Sequence, residues 1–202
     1  SAVDAALDRF QPKYIFAVGV AFGIDPSKQA LGDVLVAKHL VFYDAFNKVT
    51  DGTIKLRPDD TYRIDANLNA QLHSLDREYP PESVGTFKWY YGSMLTGGTV
   101  LSDAVEKRQL VEASERIGQT IIGGEMEASG IHFACQRTKN RSVPFTIFKG
   151  ICDWGAEKNG WDTANIGELD RDTVKDYVQA FACNNAYNAM RHILLQLNME
   201  IG

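Results

Sequence analysis

Residues 119–138 read QTIIGGEMEASGIHFACQRT. The first six, QTIIGG, form a short apolar run closed by a glycine pair, as a buried strand does, and EASGIHFACQRT (127–138) reads as a helix. A strand that passes through glycines into a helix is the repeating step of an α/β fold. Two acids, Glu125 and Glu127, sit at the hinge. The positive end of the helix dipole favours one carboxylate there, but it does not account for a pair. Two residues apart, the side chains project to one side if the hinge is extended and diverge if it is helical.

The same alternation extends in both directions. Upstream, SAVDAALDRF (1–10) carries Val3, Ala6, Leu7 and Phe10 at helical spacing, Pro12 stops it, and YIFAVGV (14–20) follows as a buried strand. VGVAFG (18–23) is read as a glycine-containing turn. LGDVLVAKHLVFYD (31–44) is another β-rich run, whereas DGTIKLRPDDTYRI (51–64) is polar and turn-rich and reads as a surface excursion. A helix follows with Leu68, Leu72 and Leu75 on one face, closed by Pro80 and Pro81, then the strand SVGTFKWYYGSML (83–95). SDAVEKRQLVEAS (102–114) is a helix opened by a Ser/Asp cap signal. VPFTIFKGI (143–151) is one more buried strand. A closing helix from about Asp172 places Val174, Tyr177, Val178, Phe181, Ala182, Met190, Ile193 and Leu194 on an apolar side.

This order predicts a three-layer α/β sandwich, a central mixed β-sheet flanked by helices. Ligands of such folds gather where strands end. Two strand ends carry acids: GGEME, and GICDW with Asp153. Asp153 also suits the cap of a short turn, Trp154 suits packing, and Lys149 suits a strand-end charge.

At 202 residues, 45% hydrophobic and 23% charged, the chain has the composition of one globular domain. A net charge of −5 without lysine or arginine runs excludes a surface built for nucleic-acid polymers. Cys135, Cys152 and Cys183 are odd in number and widely spaced, which predicts no disulfide framework, no zinc site and a reducing, cytoplasmic setting. No stretch is apolar enough to span a bilayer, and the opening residues lack the order of a signal peptide. His39, His73, His132 and His192 have no metal-ligand spacing, and His132, between Ile131 and Phe133, reads as a packed histidine. No phosphate-loop, nucleophile-elbow or dinucleotide motif is present, so no cofactor and no metal are expected.

FAVGVAFGIDPSKQALGDVLVAKHLVFYDA (16–45), GSMLTGGTVLSD (92–103), GGEMEASGIHFACQ (123–136) and VPFTIFKGICDW (143–154) resemble, in order and spacing, the nucleoside phosphorylase family, especially its 5′-methylthioadenosine/S-adenosylhomocysteine nucleosidase branch. The resemblance runs from about Gln11 to the last helix. It implies that Glu127 grips the ribose 2′ and 3′ hydroxyls, that Met126 packs on the sugar and that Glu125 lies in the pocket wall. It also implies that Asp153 serves purine N7, that Gly19, Val20, Ala21 and Gly23 pass under the sugar, and that main chain at Val100 and Leu101 meets the base. Lys149 stands where the family has a strand-end arginine. A carboxylate accepting two hydroxyls is strong chemistry, and its charge lies beside a sugar that becomes cationic as the bond breaks. A carboxylic acid donating to N7 disperses the electrons left on the base.

The chain also departs from that pattern. Ala17 and Val20 stand where phosphorylases carry phosphate ligands, which favours water as nucleophile, and Val100 occupies the base-stacking position. The family's water-activating glutamate belongs to a region before SAVDAALDRF, and Asp4 and Asp8 read as solvated rather than as substitutes. Residues 1–202 are therefore expected to be a single, N-terminally shortened nucleoside phosphorylase-like domain from a larger chain. The expected activity is cleavage of the N-glycosidic bond of a purine, adenine-type, nucleoside or nucleotide by water, in a homo-oligomer with a dimer as first expectation. Phosphorolysis and a non-catalytic nucleoside-binding module are the alternatives.

Overall fold

The computed structural model describes residues 2–45, 47–48, 53–78, 87–137, 143–155 and 170–196. The helices are α1 (Ala2–Phe10), α2 (Ala66–Glu78), α3 (Ala104–Arg116), α4 (Ala128–Arg137) and α5 (Arg171–Gln196). The strands are β1 (Ile15–Gly23), β2 (Val34–Phe42), β3 (Asn47–Lys48), β4 (Ile54–Lys55), β5 (Thr61–Arg63), β6 (Trp89–Thr96), β7 (Ile121–Glu125) and β8 (Phe145–Asp153). β3 and β4 form a small ladder of their own, and the other six strands join in the order β5-β2-β6-β7-β1-β8.

The large sheet is mixed, as expected: β2–β6, β6–β7 and β1–β8 are parallel, β1–β7 and β2–β5 antiparallel. It also closes on itself. Val34, Leu35 and Val36 of β2 pair antiparallel with Gly150, Lys149 and Phe148 of β8, while His39 to Val41 of the same strand pair with β5. Five strands thus make a ring, with β5 added where the twist of β2 has carried it away from β8.

Helices cover both faces. Leu7 of α1 and Ala128, Ala134 and Cys135 of α4 pack with Leu35, Met94, Phe145 and Ile147 in one core cluster. Leu68 and Leu72 of α2 and Ala186, Ala189 and Ile193 of α5 pack with Val34, Val36 and Phe148 in a second. α3 seals a third cluster through Leu110 and Ala113. The Ser/Asp cap signal is real: Asp103 accepts hydrogen bonds from the Val105 and Glu106 amides. Buried Asp33 fixes the entrance of β2 by accepting from the amides of Ala30 and Lys88.

Several expectations are corrected. VGVAFG is not a turn; β1 runs through it to Gly23. The 51–64 segment is not merely superficial, because Ile54, Leu56 and Ile64 are buried and Thr61–Arg63 joins the sheet. Phe10 does not face the core but lies exposed beneath the Arg9 guanidinium. On α5, Tyr177 and Phe181 are 73% and 40% exposed. Val174, Ala182, Ile193 and Leu194 of the expected stripe are buried, and Ala186 and Ala189 join them, because small residues let the helix lie close on β8. A Cβ on Gly150 would stand 2.0 Å from the Ala182 carbonyl oxygen. Among the described residues, no helix is long and apolar enough to cross a membrane.

Two alanine substitutions test this packing with opposite signs. Gly150→Ala forces α5 off β8 and is expected to destabilise by about 1–3 kcal/mol or more. Gly130 lies within α4, where an added Cβ meets nothing within 4 Å, so Gly130→Ala is expected to stabilise by about 0.5–1 kcal/mol. Urea denaturation of the two variants measures both.

Candidate active site

β7 ends at Glu125 and α4 begins at Ala128, so the hinge is a tight bend of two residues, Met126 and Glu127. Buried Glu125 is itself the cap of α4: its carboxylate accepts the Glu127 amide at 3.0 Å and the Ala128 amide at 3.0–3.2 Å. The next amide, Ser129, donates to Thr96 Oγ1 at the end of β6. The Ala128 and Ser129 amides at the start of α4 are therefore satisfied by two neighbouring strand ends.

The partner of both acids comes from β8. Lys149 Nζ lies 2.6 Å from Glu127 Oε2 and 3.2 Å from Glu125 Oε2. The lysine and Glu125 side chains are 4% and 0% exposed, whereas that of Glu127 is 65% exposed. Lys149 pairs across the parallel β1–β8 ladder with Gly19, whose missing side chain makes room for it. A Cβ there would stand 3.0 Å from Nζ. Lys149 is thus no strand-end charge but a buried cation shared by a structural carboxylate and an open one. Partial burial would raise the Glu127 carboxyl, but the hydrogen bond and charge of Lys149, helped by Glu125 and the Met126 amide, outweigh it and hold the group below its ordinary value.

Asp153 is the last residue of β8, paired with Phe22 of β1. Its Oδ1 accepts the Gly155 amide at 2.7 Å, the turn cap that its sequence position suggests, and the Cys152 thiol lies 3.7 Å from Oδ2. Burial, then the charge of Asp153, pushes Cys152 up to about 12, so it stays a thiol and a donor. Trp154 packs over Gly23, where a Cβ would meet the indole at 2.4 Å, and its carbonyl accepts from Lys107 Nζ of α3 at 2.8 Å. Val20 and Ala21 lie on β1 between the Lys149 and Asp153 levels.

Val100 and Leu101 line an open cavity of about 240 Å³ with Tyr43, Asp44, Thr99 and Glu106. Burial pushes the Tyr43 hydroxyl well above its ordinary value, followed by the charges of Asp44, Glu125, Glu127 and Glu106, which puts the cavity within electrostatic reach of the hinge acids. The cavity is fixed by Tyr43 donating to the Thr99 carbonyl, with the Gly97 carbonyl 3.3 Å away, and by the Gly98 amide donating to Asp44. Tyr43, Asp44, Glu106, Thr96 and Lys107 are absent from the sequence reading. Tyr43 and Asp44 directly follow a strand, the one signal that could have pointed to them. Met126 is part-exposed beside this site, and His132 is packed among Phe42, Tyr62 and Phe145. The described residues contain no cluster of His, Cys, Asp or Glu able to hold a metal.

A family model described as "Phosphorylase superfamily" matches residues 1–186. A "Death domain-containing ATP nucleosidase" of Amphimedon queenslandica is 27% identical over 165 residues, covering 73% of this chain and 29% of its own length. A 5′-methylthioadenosine/S-adenosylhomocysteine nucleosidase of Marinomonas sp. (strain MWYL1) is 27% identical over 152 residues, covering 73% of this chain and 59% of its own. The chain therefore spans well under two thirds of either relative. A crystal structure of the corresponding nucleosidase from Colwellia psychrerythraea 34H, in complex with adenine, superposes with a TM-score of 0.67 at 21% identity, covering 97% of this chain and 72% of that one.

Lys149→Met leaves Glu125 buried without its counter-charge, and breaking such a pair costs about 3–5 kcal/mol. The Glu127 carboxyl should then titrate higher than in the native chain, as carboxyl NMR measures. The sign for the native chain follows from the same shift: Glu127 is lowered from 4.5, so its contribution to stability is fully present above that pH and is lost as pH falls through the lowered value. In Lys149→Met this acid-side loss should be absent.

Proposed function

The chain belongs to the phosphorylase superfamily, and from that membership we propose that it cleaves the N-glycosidic bond of an adenine nucleoside with water as nucleophile. The observation that carries the proposal is Glu127: a solvent-open carboxylate pinned 2.6 Å from a buried ammonium, at the end of a strand. A surface acid with no task needs no buried cation to aim it. Ionised and fixed, Glu127 offers lone pairs to the 2′ and 3′ hydroxyls of a ribose. As the bond from C1′ to N9 breaks, the sugar gains positive charge, and a preorganised carboxylate beside it stabilises that charge.

Asp153 is assigned to the leaving base. Its role is to pass a proton from the carboxyl to N7 as the bond breaks, so that the electron pair is accommodated on the base; the Cys152 thiol and the Gly155 amide keep the group oriented. Val100 and Leu101, on the wall of the cavity beside Tyr43, are assigned to contact with the base. Met126, Gly19, Val20, Ala21 and Gly23 are assigned to the sugar side. Water is preferred to phosphate because Ala17 and Val20 bring no donor to β1. The adenine preference agrees with the substrates named for the Amphimedon queenslandica and Marinomonas relatives.

Two variants separate the roles. Glu127→Gln is expected to weaken adenosine binding by about 1.5–3 kcal/mol, since a charged acceptor is lost. Asp153→Asn is expected to keep most of the binding and lower base release by roughly 10²- to 10⁴-fold, since an amide bonds to the base but delivers no proton. Calorimetry with adenosine and methylthioadenosine, and a base-release assay in phosphate-free buffer yielding free sugar, measure both. Unchanged turnover in Asp153→Asn, or strict dependence on phosphate, would overturn the assignment.

A further inference from the structure

A second polar cavity, of about 210 Å³, lies in the middle of the sheet rather than at the strand ends that carry the acids. Its walls come from three places: Lys38 and His39 of β2, Tyr91, Gly92 and Ser93 of β6, and the turn into β7 with Gln119 and Thr120. Two irregularities flank it. The β2–β6 register slips at Lys38, between Ala37 and His39, and the β6–β7 register slips at Ile122, between the Ser93–Ile121 and Met94–Gly123 pairs. Bulges of this kind re-aim side chains and are enriched beside functional sites. Gly92 leaves the space that Ile122 occupies; a Cβ there would stand 2.6 Å from it.

The chemistry of the lining is one-sided. None of the described residues that line it is acidic, in a chain of net charge −5. Lys38 supplies a cation, and Arg63 adds a second positive charge felt by His39 across the β2–β5 pair. Buried Ser93 donates to Gln119 Oε1 at 2.7 Å, which leaves the Gln119 amide nitrogen as a donor. His39 Nδ1 is buried with no hydrogen-bond partner among the described residues, and an orphaned buried polar atom asks for one. The space exceeds the ~30 Å³ share of one water yet falls below the ~300–1,000 Å³ of pockets for larger organic ligands.

We infer that this cavity is a binding site for a small phosphate-type oxyanion, held by Lys38, His39, Gln119 and Thr120, with Ser93 orienting the Gln119 amide, and separate from the site around Glu127. Donors converging from β2 and the turn into β7 suit a tetrahedral anion, and an anion there offers His39 the missing partner. Phosphate in this cavity is a bound ligand, not a nucleophile, and its binding does not depend on the chemistry proposed for Glu127 and Asp153.

Calorimetric titration of the chain with inorganic phosphate, at constant ionic strength set with chloride, tests it. The expected result is saturable one-to-one binding that weakens at least tenfold in Lys38→Met, a surface change that leaves the core intact, and likewise in Gln119→Leu, while Glu127→Gln leaves it unchanged. No saturable binding, binding that survives both cavity variants, or binding lost in Glu127→Gln would overturn it.

Discussion

A buried ammonium needs counter-charge, and in this protein that requirement ties the sheet to the candidate site. Lys149 is inaccessible on β8, and two carboxylates from the β7–α4 hinge reach it, one as buried as itself and one open to water. Isolated in an apolar interior, any of these charges would be costly, and together they are tolerable only with close geometry and further hydrogen bonds. Glu125 meets that condition by capping α4 with its remaining acceptor capacity. The open acid inherits its position from this arrangement: because the cation is fixed by β8 and Gly19, Glu127 is fixed too.

The scaffold has the rigidity that such a site requires. Closure of the sheet through β2 and β8 places Leu35 opposite Lys149, so the lysine is held by strands on both sides. α5 lies on β8 at Gly150, the position next to Lys149, and the backbone there is confined by direct contact with the helix. Gln29 ties the segment after β1 to β7, accepting the amides of Ile24 and Asp25 while donating to the Ile122 carbonyl. Positions along β1, β7 and β8 are thereby fixed relative to one another, which is the precision that the charge stabilisation proposed for Glu127 demands.

Much of this was legible in the sequence, and for local reasons. Pro12 after α1, the Ser102–Asp103 signal before α3, and the apolar runs of β1, β2, β7 and β8 each carry their meaning within a few residues. So does the pairing of strand ends with acids, which singled out Glu125, Glu127 and Asp153. What was not legible depends on distant partners. Ring closure rests on Val34–Val36 meeting Phe148–Gly150, more than a hundred residues away, and neither run differs from an ordinary buried strand. Gly19 and Gly23 suggested a turn because their use, making room for Lys149 and Trp154, lies on other elements. Tyr177 and Phe181 suggested a core face because composition alone does not show that alanines bring α5 against β8. Tyr43 and Glu106 became part of the candidate site only when the chain placed β2 and α3 around one cavity.

In the function proposed above, an ionised Glu127, aimed by Lys149, is the anchor for a ribose diol. The most direct measurement is calorimetric binding of adenosine against 2′,3′-dideoxyadenosine, which differ only in the two hydroxyls, to the native chain and to Glu127→Gln. Hydrogen bonds to a charged acceptor contribute about 1.5–3 kcal/mol. The native chain should therefore favour adenosine by about tenfold or more, and the glutamine variant should lose most of that preference. Equal affinity of the native chain for the two ligands, or a preference left intact in Glu127→Gln, would contradict it.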